Sequence, residues 1–178
     1  MVETPEKSCT ILGKGNVGLG RFSVTENGCI IDTGINPKSY VNLGFRSKLK
    51  FGAVLRTYGG FIEIGNRVTI GEYSILAGHG GISIGDLSVI GGMAYITAQN
   101  HIFESEIPIR FQGERALGIK IGRNVWIGAR VTILDGVTIG NNSVIGANSL
   151  VTKDVPENSV AYGAPSKIVR KILKEEPE

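Results

Sequence analysis

The sequence predicts an all-β fold in which short strands wind into a parallel β-helix. Three observations lead to this prediction: a six-residue repeat, an aliphatic residue at the first position of each repeat, and a high glycine content. The dipeptide Ile-Gly begins at positions 64, 70, 84, 90, 121, 127, 139 and 145, and within each block the spacing is six or a multiple of six. Glycine supplies 26 of the 178 residues, well above the usual share of roughly 7%, without a collagen period.

The repeat also indicates which side chains form the core. The fifth residue of one repeat and the first residue of the next lie two positions apart, so in a strand their side chains project to the same side. The first position is aliphatic and the fifth is usually small or valine. Glycine or asparagine at the second to fourth positions supplies the tight turns. Three repeats, about eighteen residues, are expected to close one triangular coil, with coils stacked roughly 4.8 Å apart.

The repeat divides the chain into three parts. Residues 1–50 match it poorly and are expected to cap the β-helix irregularly, because terminal repeats are atypical. Residues 51–163 are predicted to form the β-helix itself. Residues 164–178 are predicted to form a C-terminal α-helix and tail, with Pro165 in its first turn. Four residues of that segment form an apolar stripe at helical spacing: Ile168, Val169, Ile172 and Leu173.

One stretch inside the predicted β-helix carries no repeat. The pattern runs through "ITAQNH" and stops after His101, to resume near Ile121. Residues 102–118 are therefore predicted to leave the helix as a protruding loop. Loops of this length within compact domains are usually functional.

Composition argues against several classes of protein. The net charge of +3 is too small to indicate a nucleic-acid partner, and no aromatic-basic module accompanies it. Cys9 and Cys29 fit no metal-ligand spacing and are expected to be reduced thiols. The first residues lack the profile of a signal peptide, and no apolar run approaches 18 residues. We therefore expect a cytoplasmic protein without membrane insertion.

The motifs together resemble a known family. The repeats, the "NH" before the loop and the segment "NVWIGARVTILDGVTIGNNSVIGANSLVTKDVPENSVAYGAPSKIVR" are similar to the hexapeptide-repeat acyltransferases, especially the maltose/galactoside and surface-polysaccharide O-acetyltransferase branch. The similarity covers about residues 50–172 and is most specific from 121 to 170. It implies a left-handed β-helix, an exception to the usual right-handed crossover. It also implies a homotrimer with acyl-CoA and acceptor sites at the subunit interfaces.

The resemblance assigns the candidate acceptor site to the residues around the interruption. In the family, a histidine just before such a loop is the catalytic base, which points to His101. An imidazole titrates near neutral pH and suits proton removal from a hydroxyl. Asn100 is a candidate to line the pocket or orient the base, although a turn role is nearly as plausible. His79 stands where sugar acetyltransferases commonly carry an acidic residue that contacts the acceptor, so acceptor binding and an ordinary turn role both stay open.

The resemblance assigns the acyl-donor site to the C-terminal half. The backbone of Gly128 and Ala129 would meet the thioester, with the Ala129 N–H as oxyanion donor. Ala147 would hold the pantetheine arm. Trp126 would form a wall of the CoA groove. Thr152 and Lys153 would meet the adenine end of the donor, and Lys167 and Arg170 its phosphates.

These residues predict an acetyl-CoA-dependent O-acetyltransferase that acts on a carbohydrate hydroxyl, plausibly in surface-polysaccharide synthesis. Direct attack is expected, because no GxSxG nucleophile motif is present. The alternative is N-acylation of an amino-sugar or acetylation of another small molecule. A third hypothesis is a scaffold protein without catalytic activity. No metal is expected: the zinc enzymes of this fold need three histidines, and the chain has two. The group that would orient His101 cannot be named from the sequence.

Overall fold

The computed structural model describes residues 9–172, in which every regular element but one is a β-strand. Strands β1 to β8 are Thr10–Leu12, Asn16–Leu19, Val24–Thr25, Ile30–Asp32, Tyr40–Leu43, Lys48–Leu49, Val54–Arg56 and Phe61–Ile64. Strands β9 to β16 are Thr69–Ile70, Ile75–Ala77, Ile82–Ile84, Val89–Ile90, Tyr95–Thr97, Asn100–His101, Glu114–Arg115 and Ile119–Ile121. Strands β17 to β23 are Trp126–Ile127, Thr132–Ile133, Thr138–Ile139, Val144–Ile145, Leu150–Val151, Ser159–Gly163 and Ser166–Lys171. A single 3₁₀ turn covers Ile109–Phe111.

The strands form three long sheets that are parallel except at one end. Sheet A has the order β1-β4-β7-β10-β13-β18-β21, sheet B the order β2-β5-β8-β11-β16-β19, and sheet C the order β3-β6-β9-β12-β17-β20-β22-β23. From β2 to β21 the chain passes through sheets B, C and A in turn, apart from the loop strands β14 and β15. We name the three edges of this prism after the sheets they join: the B–C edge, the C–A edge and the A–B edge. The predicted parallel β-helix is confirmed.

The core is a column of the aliphatic residues that begin the repeats. Ile70, Ile90, Ile127 and Ile145 stack in register along sheet C and are all buried. Fifth-position residues are buried beside them, as the period predicts. Where that residue is serine, its hydroxyl bridges two coils: the Ser88 Oγ donates to the Gly122 carbonyl at 2.9 Å and accepts from the Val125 N–H at 3.0 Å. Both polar functions of this buried group are therefore satisfied.

The predicted coil length holds only in the C-terminal half. Ile121 pairs with Ile139, eighteen positions later, but Ile64 pairs with Ile84 after twenty and Leu43 with Ile64 after twenty-one. The additional residues lie in longer turns and longer strands of sheet B. Residues 10–49 contribute six strands to the same three sheets. The early coils are longer because their turns are wider, which hides the six-residue period in the sequence.

The predicted C-terminal α-helix is wrong. Residues Ser166–Lys171 form β23, which pairs antiparallel with β22, Ser159–Gly163. β22 extends sheet C past the last coil and would otherwise present an open edge, which a returning strand closes by hydrogen bonding. The β-branched residues Ile168 and Val169 favour an extended backbone. Leu173 and the rest of the predicted helix lie outside the described residues.

The loop leaves the prism through a small antiparallel pair. Asn100 and His101 of β14 pair with Arg115 and Glu114 of β15. Beyond this stem, the Gln112 side chain closes the loop on itself: its Nε2 donates to the Ser105 carbonyl at 3.1 Å, and its Oε1 accepts from the Ser105 N–H at 3.1 Å. Several apolar side chains of the loop are exposed: Phe103, Ile107, Ile109, Phe111 and Leu117. The protruding loop is thus an ordered arm with an apolar surface.

Candidate active site

The two histidines lie at the A–B edge, where the loop interrupts the coils. His79 is in the turn between β10 and β11, and His101 ends the strand β14 that opens the loop. The loop returns directly over the His79 turn: a Cβ added to Gly80 would lie 2.6 Å from the Gly118 backbone nitrogen. Glycine is therefore required at 80 for this close approach. The period placed both histidines at one edge, and the structure does the same.

His101 faces a carboxylate across the stem of the loop. Its Nδ1 lies 3.8 Å from the Oε1 of Glu114, the residue paired with it in the β14–β15 ladder. The imidazole is 58% exposed and the carboxylate 48% exposed, so both side chains stay open to a ligand. A cavity of about 370 Å³ adjoins them. It is lined by Asn100, His101, Ile102, Phe103, Glu104 and Arg115.

His79 is held differently. Its ring stacks on the Tyr58 ring with centroids 4.2 Å apart and planes 11° from parallel. Its Nδ1 is buried and has no hydrogen-bond partner among residues 9–172. Burial lowers the pKa of His79 and outweighs the attraction of the nearby Glu114 and Asp135 carboxylates, which raise it; repulsion by His101 lowers it as well. His79 is therefore a neutral imidazole at neutral pH.

A second carboxylate, that of Asp135, fixes the return of the loop. Asp135 lies in the A–B turn one coil after the loop, and its Oδ1 accepts from the Leu117 N–H and the Gly118 N–H at 2.9 Å each. Its Oδ2 also accepts from the Leu117 N–H, at 3.0 Å. This clamp sets where β15 lies relative to the prism. It thereby sets where Glu114 meets His101.

The predicted donor-site residues are divided among three places. Gly128, Ala129 and Ala147 lie at the C–A edge in successive coils, and a Cβ on Gly128 would lie 2.5 Å from the Ala147 backbone nitrogen. Ala129 and Ala147 are exposed, and the Ala129 N–H donates no backbone hydrogen bond within the described chain. Small residues thus form a shallow strip with an available donor. Trp126 lies on the outer face of sheet C and is 59% exposed.

The predicted phosphate and adenine contacts lie elsewhere. Thr152 and Lys153 are at the A–B edge after β21, and both are exposed. Lys167 and Arg170 are exposed on β23, opposite Tyr162 and Val160. Within one chain, the structure brings Asn100, His101 and His79 to one edge. It does not bring the Gly128–Ala129 turn to that edge, because the whole width of sheet A separates the two.

Three residues of the site were not assigned by the sequence. Tyr58 was detectable, because "LRTYGG" and "LAGHGG" align with Tyr58 over His79 once the coil is taken as twenty-one residues. Glu114 was undecided among the charged residues of the loop, because the loop has no period that would define its pairing. Asp135 could not be singled out, because the same position of other repeats also holds charged residues such as Glu72, Asp86 and Arg123.

Residues 9–172 contain no group of three or more His, Cys, Asp or Glu side chains arranged to hold a metal ion. Within the same range, no helix is long and apolar enough to cross a membrane.

Comparison with known proteins decides the family. The family described as bacterial transferase hexapeptide (six repeats) matches residues 118–153, and the hexapeptide repeat of succinyl-transferase matches residues 62–98. WbbJ of Escherichia coli (strain K12), whose name assigns it O-acetyl transfer in lipopolysaccharide biosynthesis, is 33% identical over 140 residues, covering 74% of this chain and 71% of WbbJ. This chain belongs to the hexapeptide-repeat acyltransferase family.

Three further proteins are similar to this chain. The galactoside O-acetyltransferase of E. coli (strain K12) is 41% identical over 117 residues, 65% of this chain and 57% of that protein. The solved structure of NeuO, a polySia specific acetyltransferase, has a TM-score of 0.68 at 26% identity and covers 95% of this chain and 83% of its own. An N-acyltransferase from Bacillus cereus, AntD, solved with Coenzyme A, shares the fold at 20% identity and a TM-score of 0.74, covering 89% and 84% of the two chains. The chain spans 39% to 71% of the length of the first curated relatives it matches.

Proposed function

We propose that this chain transfers an acetyl group from acetyl-CoA to a carbohydrate hydroxyl, with His101 as the general base. The observation that carries the proposal is the pairing of His101 with Glu114 at the single long interruption of the coils, beside an open cavity. The similarity to WbbJ and to the galactoside enzyme supports O-acetylation, and WbbJ and NeuO support a surface polysaccharide as the acceptor.

His101 would act through its two nitrogens in different ways. With the Glu114 carboxylate beside Nδ1, the hydrogen is favoured on Nδ1, and the lone pair on Nε2 is left for the acceptor hydroxyl. As the hydroxyl oxygen attacks the thioester carbonyl, Nε2 takes the hydroxyl proton. When the C–S bond breaks, the same proton passes to the departing sulfur. Glu114 is a positioning residue here, because its carboxylate favours one tautomer and one orientation of the ring.

The donor site fits the exposed strip at the C–A edge. The unpartnered Ala129 N–H is a donor for the developing oxyanion, and glycine at 128 keeps the surface low enough for a narrow pantetheine chain. Lys167 and Arg170 are exposed, form no ion pair within residues 9–172 and suit the phosphates of the nucleotide, whereas the exposed Lys153 is assigned to its adenine end. Lys153→Ala and Arg170→Ala should therefore weaken acetyl-CoA binding. Unchanged affinity in both variants would refute this assignment.

The separation of these groups supports a homo-oligomer, and the family resemblance implies that it is a trimer. His101 and the Gly128–Ala129 turn lie at different edges of one prism, so one chain cannot offer both to one thioester. A site between neighbouring protomers resolves this, with the apolar arm of residues 102–118 reaching over the next subunit. The exposed arm residues Phe103 and Phe111 supply the contact.

The composite site can be tested by complementation. His101→Ala lacks the base but keeps the donor strip, whereas Lys153→Ala combined with Arg170→Ala keeps the base. Mixed under conditions that exchange subunits, the two inactive preparations should recover part of the wild-type activity. If sites lie within single chains, mixing will recover none.

The function itself is tested by calorimetric binding of acetyl-CoA to the wild type and to His101→Ala, followed by thiol release with a panel of sugars. Binding by both proteins and turnover by the wild type alone would support the proposal. Absence of binding by either protein would favour a scaffold without catalytic activity. Turnover with amino-sugars alone would establish N-acylation instead.

A further inference from the structure

A stacked pair of rings, Tyr58 and His79, lies at the A–B edge next to the stem of the loop. Tyr58 and His79 occupy equivalent turns of two neighbouring coils, and their rings stack face to face. Tyr58 adopts a left-handed backbone conformation with φ of 49°, which turns its side chain along the A–B edge. A non-glycine residue in this region costs free energy. The His79 ring lies close enough to Glu114, Asp135 and His101 for their charges to act on it.

The stack determines which nitrogen of His79 carries hydrogen. Nδ1 is buried without a partner in the described chain. A hydrogen on Nδ1 would be a buried donor without an acceptor, which is rarer in proteins than an unfilled lone pair. The hydrogen therefore resides on Nε2. The titratable groups that face this ring are Tyr58, His101, Glu114 and Asp135, and the burial of the ring outweighs the attraction of the two carboxylates.

The two histidines consequently have opposite hydrogen-bonding roles. His101 has a carboxylate beside Nδ1 and offers a lone pair on Nε2, so it accepts hydrogen. His79 has an empty Nδ1 and offers N–H on Nε2, so it donates hydrogen. A sugar held between them would give its reacting hydroxyl proton to His101. A neighbouring substituent of the same sugar would have to accept a hydrogen bond from His79.

We propose that Tyr58 and His79 form an acceptor-binding subsite that selects sugars with a hydrogen-bond-accepting substituent beside the reacting hydroxyl, namely a hydroxyl or an acetamido carbonyl, over sugars with an ammonium group or a deoxy position there. This inference rests on the proposed function. Tyr58 acts as a positioning residue, because its ring holds the His79 ring in the donating orientation. An ammonium group has hydrogens and no lone pair, so an amino-sugar at this subsite would leave the His79 donor unpaired.

Acceptor kinetics test the selection. Three matched acceptors are compared in the same ring series: an N-acetylhexosamine, the parent hexose and the deoxy sugar that lacks the substituent. We expect kcat/KM for at least one of the first two to exceed that of the deoxy sugar by about tenfold or more, which corresponds to about 1.4 kcal/mol. The better of the first two sugars identifies the acetamido carbonyl or the hydroxyl as the accepting group. Equal kcat/KM for all three sugars would overturn the proposal.

Substitutions at 79 separate selection from general damage. His79→Gln retains an N–H donor and should keep most of the preference, whereas His79→Asp offers only lone pairs and should lose it by tenfold or more. Tyr58→Ala removes the stack and should raise KM for the preferred sugar, whereas Asn142→Ala, in a turn of the B–C edge, should leave that KM unchanged. If His79→Asp keeps the wild-type preference, the proposal is wrong.

The tautomer is a readout that needs no turnover. Nitrogen-15 chemical shifts of the two histidines should show hydrogen on Nε2 of His79 at neutral pH, and a hydrogen on Nδ1 would overturn the proposal. Failure of the proposed function would be distinguishable, because acetyl-CoA binding and thiol release by the wild type would then be absent. Failure of the subsite alone would leave both intact.

Discussion

The B–C edge and the A–B edge are built from the same coils but differ in how their polar groups are used. At the B–C edge, Asn124, Asn142 and Asn158 follow one another in successive coils with φ of 54°, 56° and 55°. Each side-chain amide donates to the next, with Nδ2 to Oδ1 distances of 3.0 and 3.2 Å. This ladder is regular and pairs the three amides with one another. The A–B edge has no such ladder at the level of the loop.

The A–B edge instead keeps polar atoms uncommitted. His79 has a buried nitrogen without a partner in the described chain, His101 is mostly exposed, and the neighbouring carboxylates are shared between the loop and the histidines. Unsatisfied groups cost stability, and the regular coils elsewhere supply it. The comparison indicates that the regular coils stabilise the molecule. The interruption of the repeat leaves polar groups available for the proposed acetyl transfer.

The largest expected contrast between the edges is in turnover. His101→Ala should lower kcat by about 10²–10⁴, the range that a general base supplies. Asn142→Ala at the B–C edge is the matched control, because it also removes a turn side chain, and it should leave kcat near the wild-type value. Steady-state thiol release with saturating acetyl-CoA measures both. A comparable loss in the two variants would show that the edges do not differ in function.

The clamp at Asp135 should have the next largest effect. Asp135→Asn keeps one acceptor oxygen but removes the charge that strengthens three hydrogen bonds. We expect kcat to fall by about tenfold, since a misplaced stem moves His101 itself as well as Glu114. Hydrogen exchange at the Leu117 and Gly118 amides should accelerate by about fivefold to tenfold, corresponding to a loss of about 1 kcal/mol. Slow exchange combined with low kcat would assign Asp135 a role in chemistry instead.

Glu114→Gln should have a smaller effect. The pair with His101 is exposed, and such pairs are worth about 0–1 kcal/mol. Turnover should therefore fall by less than about tenfold, with KM for acetyl-CoA unchanged. Glu106→Gln, an exposed carboxylate of the arm that does not line the cavity, is the matched control and should not change turnover. A loss as large as that of His101→Ala would make Glu114 a direct participant.

The control substitution at the B–C edge makes a prediction of its own. Asn142→Ala removes two amide hydrogen bonds and places alanine at a φ of 56°. We expect a loss of about 1–2 kcal/mol in the free energy of unfolding, measured by urea titration. Asn142→Gly removes the same bonds without the backbone cost and should lose less. An equal loss in both variants would attribute the whole effect to the ladder.

The smallest expected effect is a pH dependence of stability that comes from His79. Its pKa in the folded chain is lowered by burial, below the value of roughly 6.5 expected for the unfolded chain. Below about pH 6.5 the unfolded chain therefore binds a proton that the folded chain resists, so stability present at neutral pH is lost as the pH falls. His79→Gln should flatten this part of the urea-denaturation profile. An unchanged slope would mean that His79 is not buried as described.

The sequence predicted the fold well wherever the repeat was regular. Residues such as Ile127, Val131 and Ile145 were assigned to the core by period alone, because every coil repeats the same steric problem. Leu87 and Met93 were less predictable: both adopt left-handed backbone conformations that the sequence assigned to glycine and asparagine. Their strain is compensated by coil stacking, and such compensation is not visible in local sequence.

The site was predicted less completely, and the C-terminal segment incorrectly. His79 and His101 were placed at one edge because the register of the repeat continues up to the loop. Glu114 could not be placed, because its position depends on an antiparallel pairing outside the repeat. In the C-terminal segment, residues 166–171 carry an apolar pattern that fits either a helix or a strand. The open edge of β22 decides between them, and that edge exists only in three dimensions.

The sheets pass beneath the loop without a change of register. Tyr95 of β13 pairs with Thr132 of β18, and Ser83 of β11 pairs with Lys120 of β16, as if residues 102–118 were not in between. The pairing of the strands therefore does not depend on the length of the arm. Arms of different length and composition could be exchanged at this junction during evolution, or grafted in the laboratory, and acceptor choice could diversify without any repacking of the core.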